Sequence, residues 1–200
     1  MPIFKIRDDL CLDFANTLSW RGSESPAEGL HDFAALIAWI GRSAIASAEG
    51  ESDLAPSLAA IGSEEAARLF AEAIALREAI FRIFSAFAAG AGVPGADLER
   101  LEAALAQAPA RDKLARSDGL YGWQVEAPLR TMPQLLAPVI WSAGDLVVAG
   151  GNRRIRRCAN EECLWMFIDE SKSGTRRWCQ MSACGNRAKA RRHYSKIKGR

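Results

Sequence analysis

Cys158-Ala159-Asn160-Glu161-Glu162-Cys163 and, after fifteen intervening residues, Cys179-Gln180-Met181-Ser182-Ala183-Cys184 set two cysteine pairs of equal spacing in the last quarter of a 200-residue chain. Two such pairs suit a tetrahedral metal site, each gripping one side of the ion while the spacer folds back. Four thiolates with no open position suit one structural zinc ion. An iron–sulfur cluster, which also takes four cysteines, is the chemical alternative. Four unrelated buried thiols are the bland reading, and their clustering in so polar a segment argues against it.

The flanks give the metal site a shape. Arg153 to Arg157 reads as a strand entering the first pair, and Leu164 to Ile168 as a strand of a β-hairpin. Asp169 to Thr175 is a polar turn, with Asp169 and Ser171 as turn and cap residues. Ser182 to Arg187 opens a helix toward residue 200. A knuckle, a hairpin and a helix bearing the second ligand pair make a treble-clef arrangement.

Charge divides the chain at the same place. Residues 1–150 hold 12 Lys/Arg and 20 Asp/Glu, net −8, whereas residues 151–200 hold 14 and 4, net +10. Gly150-Gly151 punctuates the switch, so a boundary is expected there, with a body over 1–150 and a finger over 151–200. An acidic body carrying a basic module points to a polyanion as partner. The first residues show no apolar run with a small-residue cleavage site, and the most apolar window, Met132 to Ala149, is broken by Gln134, Pro138 and Asp145. The expectation is a cytoplasmic protein with no membrane partner, where clustered cysteines mean metal before disulfide. Cys11 stands apart and reads as a small buried apolar residue.

The motifs carry a resemblance. Cys184-Gly185-Asn186-Arg187, with Phe167, Asp169, Ser171, Arg177-Trp178-Cys179 and Ala188-Lys189, resembles the CGNR zinc finger. Leu12-Asp13-Phe14-Ala15-Asn16-Thr17 resembles the opening of the ABATE domain that accompanies it. The resemblance implies a stress-induced bacterial transcription regulator, its finger binding DNA and its N-terminal domain binding an unknown ligand.

With a helix from Cys184, Lys189, Arg192, Lys196 and Arg200 share one stripe and Arg187 and Arg191 a neighbouring one. Ala183, Ala190, Tyr194 and Ile197 would then face the small core. Zinc bound by four thiolates leaves the module strongly positive, which suits phosphate neutralisation. Arg187, Lys189, Arg191, Arg192 and Lys196 are therefore the expected DNA contacts, with Arg187 and Arg191 nearest the bases. Arg187 has a second reading, as a donor to the knuckle or a thiolate. One finger buries little surface, so a homodimer or a contact from the body is expected to help.

The body reads as mostly helical α+β. Ile3 to Phe14 alternates like a strand or hairpin turning at Asp8-Asp9. Ser25-Pro26-Ala27-Glu28 has the form of a capping box before a Leu30, Phe33, Ile37, Ile40 stripe that Gly41 would end. Ser43 to Ile61 reads as a loop with a helical turn. Ser63 would cap a central helix with two apolar stripes. Asp97 to Ala108 is a further helix, Tyr121 to Glu126 a short strand, and Thr131-Met132-Pro133-Gln134 a second capping box. Pro138 predicts a kink or a late start. Asp13, Asn16, Thr17 and Arg21 could line a ligand pocket, or equally cap a helix or brace a loop. Trp20, Trp39, Trp123 and Trp141 read as core, and His31 as packed or surface. No nucleophile elbow, phosphate loop or His-rich motif is present, so no catalytic residue is expected. Alternatives are a ligand-processing enzyme with a structural finger, and a protein- or RNA-binding finger.

Overall fold

The computed structural model describes residues 1–45, 54, 55, 58 and 61–198, and most of the predicted Ser43–Ile61 loop lies outside the described residues. The chain is α+β and mostly helical. Strand β1 (Ile3–Phe4) leads through a turn at Asp8-Asp9 into helix α1 (Leu10–Ala15). This corrects the expected strand through Phe14. Five of the six α1 residues, all but Asp13, are buried. A short helix enclosed on nearly every side shows no 3.6-residue stripe, and its apolar positions mimic alternation.

Strands β2 (Leu18–Ser19) and β3 (Ala27–Glu28) form a small ladder, so the first expected capping box is strand. Helix α2 (Phe33–Ala44) begins later, capped by Asp32, whose Oδ1 accepts from Ala35 N at 2.8 Å. It runs past Gly41, which is buried and packs as a helical residue. Helix α3 (Ser63–Ala89) starts after Gly62, and Ser63 makes no cap bond. Its first stripe is buried at Leu69, Ala73, Leu76, Ile80 and Ile83, and Phe84 joins them. Phe70, Ile74, Phe81 and Phe87 are half-buried against the same core, so the expected central helix is present. Gly90 ends it at φ +64°, a left-handed cap that glycine adopts without strain.

Helix α4 (Gly95–Gln107) follows, then β4 (Leu114–Ser117) and β5 (Leu120–Gln124). Asp118-Gly119, both at positive φ, turns β4 into β5, and the sheet order is β1-β5-β4. An Asp-Gly dipeptide is a local hairpin signal, and here it encodes β4 as the partner of β5. The second capping box is present. Gln134 Oε1 accepts from Thr131 N at 3.1 Å, opening α5 (Met132–Leu135). Pro138 then sits in the first turn of a separate helix, α6 (Ala137–Ala149), the late start its ring requires.

The basic segment continues without a gap in packing. Strands β6 (Ile155–Arg157) and β7 (Met166–Ile168) pair antiparallel, Arg156 opposite Phe167. Ile155 and Met166 belong to the same buried cluster as α1, α3 and α6. A single π turn (Met181–Gly185) precedes α7 (Asn186–Lys198). The α-helix therefore begins two residues beyond Cys184. In consequence Ala190 and Tyr194 are exposed rather than facing the small core, and Ala188 is half-buried.

Candidate metal centre

Antiparallel β6 and β7 bring Cys158 and Cys163 to one end of the hairpin, where the knuckle between them closes. Cys158 N donates to Trp165 O at 2.8 Å and Cys163 N to Asn160 O at 2.9 Å. Leu164 takes φ +55° to complete the reversal. Asp169 closes the opposite turn from a buried position. Its Oδ1 accepts from Ser171 N and Oγ, and its Oδ2 from Arg176 N at 3.0 Å. Ala159 N donates to Arg177 O at 2.8 Å, which carries Cys179 back to the first pair. The π turn then presents Cys184.

All four sulfurs lie within 4.8 Å of one another, with Cys179 Sγ 3.7 Å from both Cys163 Sγ and Cys184 Sγ. Disulfides need about 2.05 Å and are excluded. A tetrahedral zinc ion about 2.3 Å from each sulfur sets sulfurs about 3.8 Å apart, so the donor set fits one zinc. The hydrogen bond between Cys179 and Cys163 pushes the Cys163 thiol down and, with burial, holds Cys179 above the ordinary thiol range. Zinc binding displaces the thiol protons of such a set. Cys11 is different. Burial pushes it up to about 12, so it stays a neutral packing residue.

Around the sulfurs runs a supporting chain that the sequence reading missed. Asn160, buried inside the knuckle, donates Nδ2 to Cys184 Sγ at 3.6 Å. Arg191 Nη2 donates to Asn160 Oδ1 at 2.9 Å and stands 3.7 Å from Glu162. Arg191, not Arg187, thus serves the knuckle. The Arg187 guanidinium instead lies over the Trp20 ring at 4.4 Å. Trp20 is half-buried against the finger's small core, as expected of a packing residue, and its ring also carries the Arg187 guanidinium. Lys189 is exposed, and the side chains of Arg192 and Lys196 lie outside the described residues.

Body and finger meet closely. Gly22 N donates to Glu162 O at 3.1 Å, and a Cβ on Gly22 would fall 1.9 Å from Glu161 O. Only glycine permits that approach. Asn16, 4% exposed, binds both backbone groups of Met166. Thr17 Oγ1 donates to Phe14 O at 2.7 Å and accepts from Arg77. Arg21 forms two bonds to Glu78, donates to Ala15 O and lies 4.0 Å over Phe81. Asn16, Thr17 and Arg21 thus brace α1 against α3 and β7. Asp13 alone of the four candidates lines the cleft between body and finger. That cleft has a volume of about 790 Å³ and includes Arg7, Trp20, Trp165, Cys163 and Cys179 in its walls.

No helix among the described residues is long and apolar enough to cross a membrane. A comparison with curated proteins gave no match. Residues 154–196 match the CGNR zinc finger model, in accord with the sulfur geometry. Residues 8–150 match the ABATE model, described as "Putative stress-induced transcription regulator". With its body matched over that span and its four cysteines gathered for one zinc, the chain belongs to the ABATE family and carries a CGNR zinc finger.

Proposed function

We propose that the protein is a DNA-binding transcription regulator. The observation that carries this reading is α7, six Lys/Arg and no acidic residue in thirteen positions, set directly after a metal ligand. Such a helix, anchored by zinc, holds cations in a fixed array against phosphates. Lys189, Arg192 and Lys196 bind DNA, and Arg187 and Arg191 add contacts while stacked on Trp20 and tied to Asn160. The body binds a small molecule in the cleft that Asp13 lines, and it carries no turnover of its own. The protein works in the cytoplasm, where the thiols stay reduced, and a homodimer doubles a contact that one finger makes weakly.

Binding of the zinc-loaded protein to random-sequence duplex DNA across a salt series tests this. The Lys189→Ala/Arg192→Ala/Lys196→Ala variant leaves the supporting Arg191 in place. Salt-sensitive binding that the variant loses is the expected result. No binding at low salt, or a preference for structured RNA, overturns it.

A further inference from the structure

Several arginines of the body meet carboxylates. Arg21 pairs with Glu78, Arg68 with Glu65, Arg77 with Glu28, Arg82 with Asp97 and Arg111 with Asp145. Three arginines of the hairpin are held differently. Arg154 donates Nε to Asp169 O at 3.1 Å and Nη2 to Ser171 O at 2.8 Å. Arg156 donates Nη2 to Gly174 O at 3.0 Å. Arg176 lies 4.3 Å over the Phe167 ring, directly across the ladder from Arg156, and donates to Trp178 O and Cys179 O.

Carbonyls orient a guanidinium without cancelling its charge. All three arginines are exposed, as is Lys172 in the turn they hold, and none of the four is in an ion pair among the described residues. Asp169 is buried with its oxygens engaged by the turn, and it offsets part of the Arg154 charge without forming an ion pair with it. Arg154 immediately precedes β6 and Arg156 lies within it, two residues on and roughly 6.6 Å away for extended backbone, which puts both side chains on the same side. Each keeps N–H groups that no acceptor among the described residues takes. Immobilised cations lose little side-chain freedom on binding and suit forked contacts to phosphate oxygens.

We infer that Arg154, Arg156 and Arg176, with Lys172, form a second DNA-phosphate surface on the hairpin, separate from α7. The inference rests on the DNA-binding reading above and adds a face to it. The test uses full-length zinc-loaded protein and random-sequence duplex DNA between 50 and 200 mM salt. Arg154→Gln/Arg156→Gln/Lys172→Gln removes three charges and keeps a donor only at the level of Arg154 Nε, facing Asp169 O, so zinc content reports whether the turn still folds. One phosphate per lost charge shrinks the fold-change in Kd over this range by up to about 40-fold relative to wild type. Lys172→Glu, which touches none of the tethers, serves if the triple variant fails to hold zinc, and it lowers the log–log salt slope by about 1. Wild-type binding with unchanged Kd and slope in these variants overturns the second surface and leaves the DNA reading standing. Loss of structured-RNA binding alone assigns the face to RNA and overturns it as a DNA surface. Absence of wild-type binding removes both.

Discussion

Asn16 and Met166 are joined by a reciprocal pair of hydrogen bonds across 150 residues of chain. Asn16 Nδ2 donates to Met166 O and Met166 N donates to Asn16 Oδ1, both at 2.9 Å. The side-chain amide acts as one more rung beside β7, and it is buried. Asn16→Ala leaves a buried N–H and C=O without partners, a cost of about 2–4 kcal/mol. Denaturant unfolding followed by far-UV circular dichroism should show a loss of that size. Zinc content should stay at one per chain, because no ligand comes from the body. A loss below about 0.5 kcal/mol would mean that water replaces the amide and that the rung does not hold the finger in place.

The metal centre makes an opposite prediction. Changing any one of Cys158, Cys163, Cys179 or Cys184 to Ser removes a thiolate from a set whose sulfurs all lie within 4.8 Å. Structural zinc contributes folding free energy outright, so the finger should lose order while the body keeps its helices. Zinc content by atomic absorption should fall to near zero, and far-UV circular dichroism should keep most of its helical signal. Retained zinc in any of the four would sink the four-cysteine site.

The metal site was legible in the sequence because ligand spacing is a local property. The central helix and the Thr131 box were legible for the same reason, since each rests on residues a few positions apart. Leu10 to Ala15 was misread because burial on almost every side erases the helical stripe. Glu28 was misread because its partner, Arg77, lies 49 residues away and draws it out of a cap into a ladder strand. The roles of Asn16 and Arg191 share that cause. Each is defined by a contact between distant segments, and no local pattern encodes it.

Acid should act on the body through its carboxylates. Burial works against the ionised form of Glu28, yet hydrogen bonds from Arg77 outweigh it and hold Glu28 below its ordinary 4.5. Burial likewise opposes ionised Glu78, and Arg21 overcomes it. A carboxyl whose folded value is depressed binds fewer protons folded than unfolded. Its contribution is complete above the ordinary value and is lost as pH falls through the folded one. Stability should therefore be level from pH 8 to 6 and decline below about 4.5. Glu28→Gln should cost about 1–2 kcal/mol at pH 7 and much less at pH 3. An equal cost at both values would show that the Arg77 contact acts through packing rather than charge.

Arg191 joins α7 to the metal-ligand knuckle, and its test separates two jobs. Its Nη2 bonds Asn160 Oδ1, and Asn160 Nδ2 bonds Cys184 Sγ. A donor to a thiolate withdraws charge from sulfur and fixes its orientation, and loss of such partners weakens metal sites by about 10–100-fold. Asn160→Ala should therefore weaken zinc in a chelator competition by that factor. Arg191→Ala should weaken it less, because the Asn160 amide survives but is no longer held. Arg191→Lys restores the charge without the planar fork, so it should recover DNA binding more fully than zinc affinity. If both variants of Arg191 lose DNA binding with zinc affinity unchanged, the bond to Asn160 is incidental, and Arg191 serves the phosphates alone.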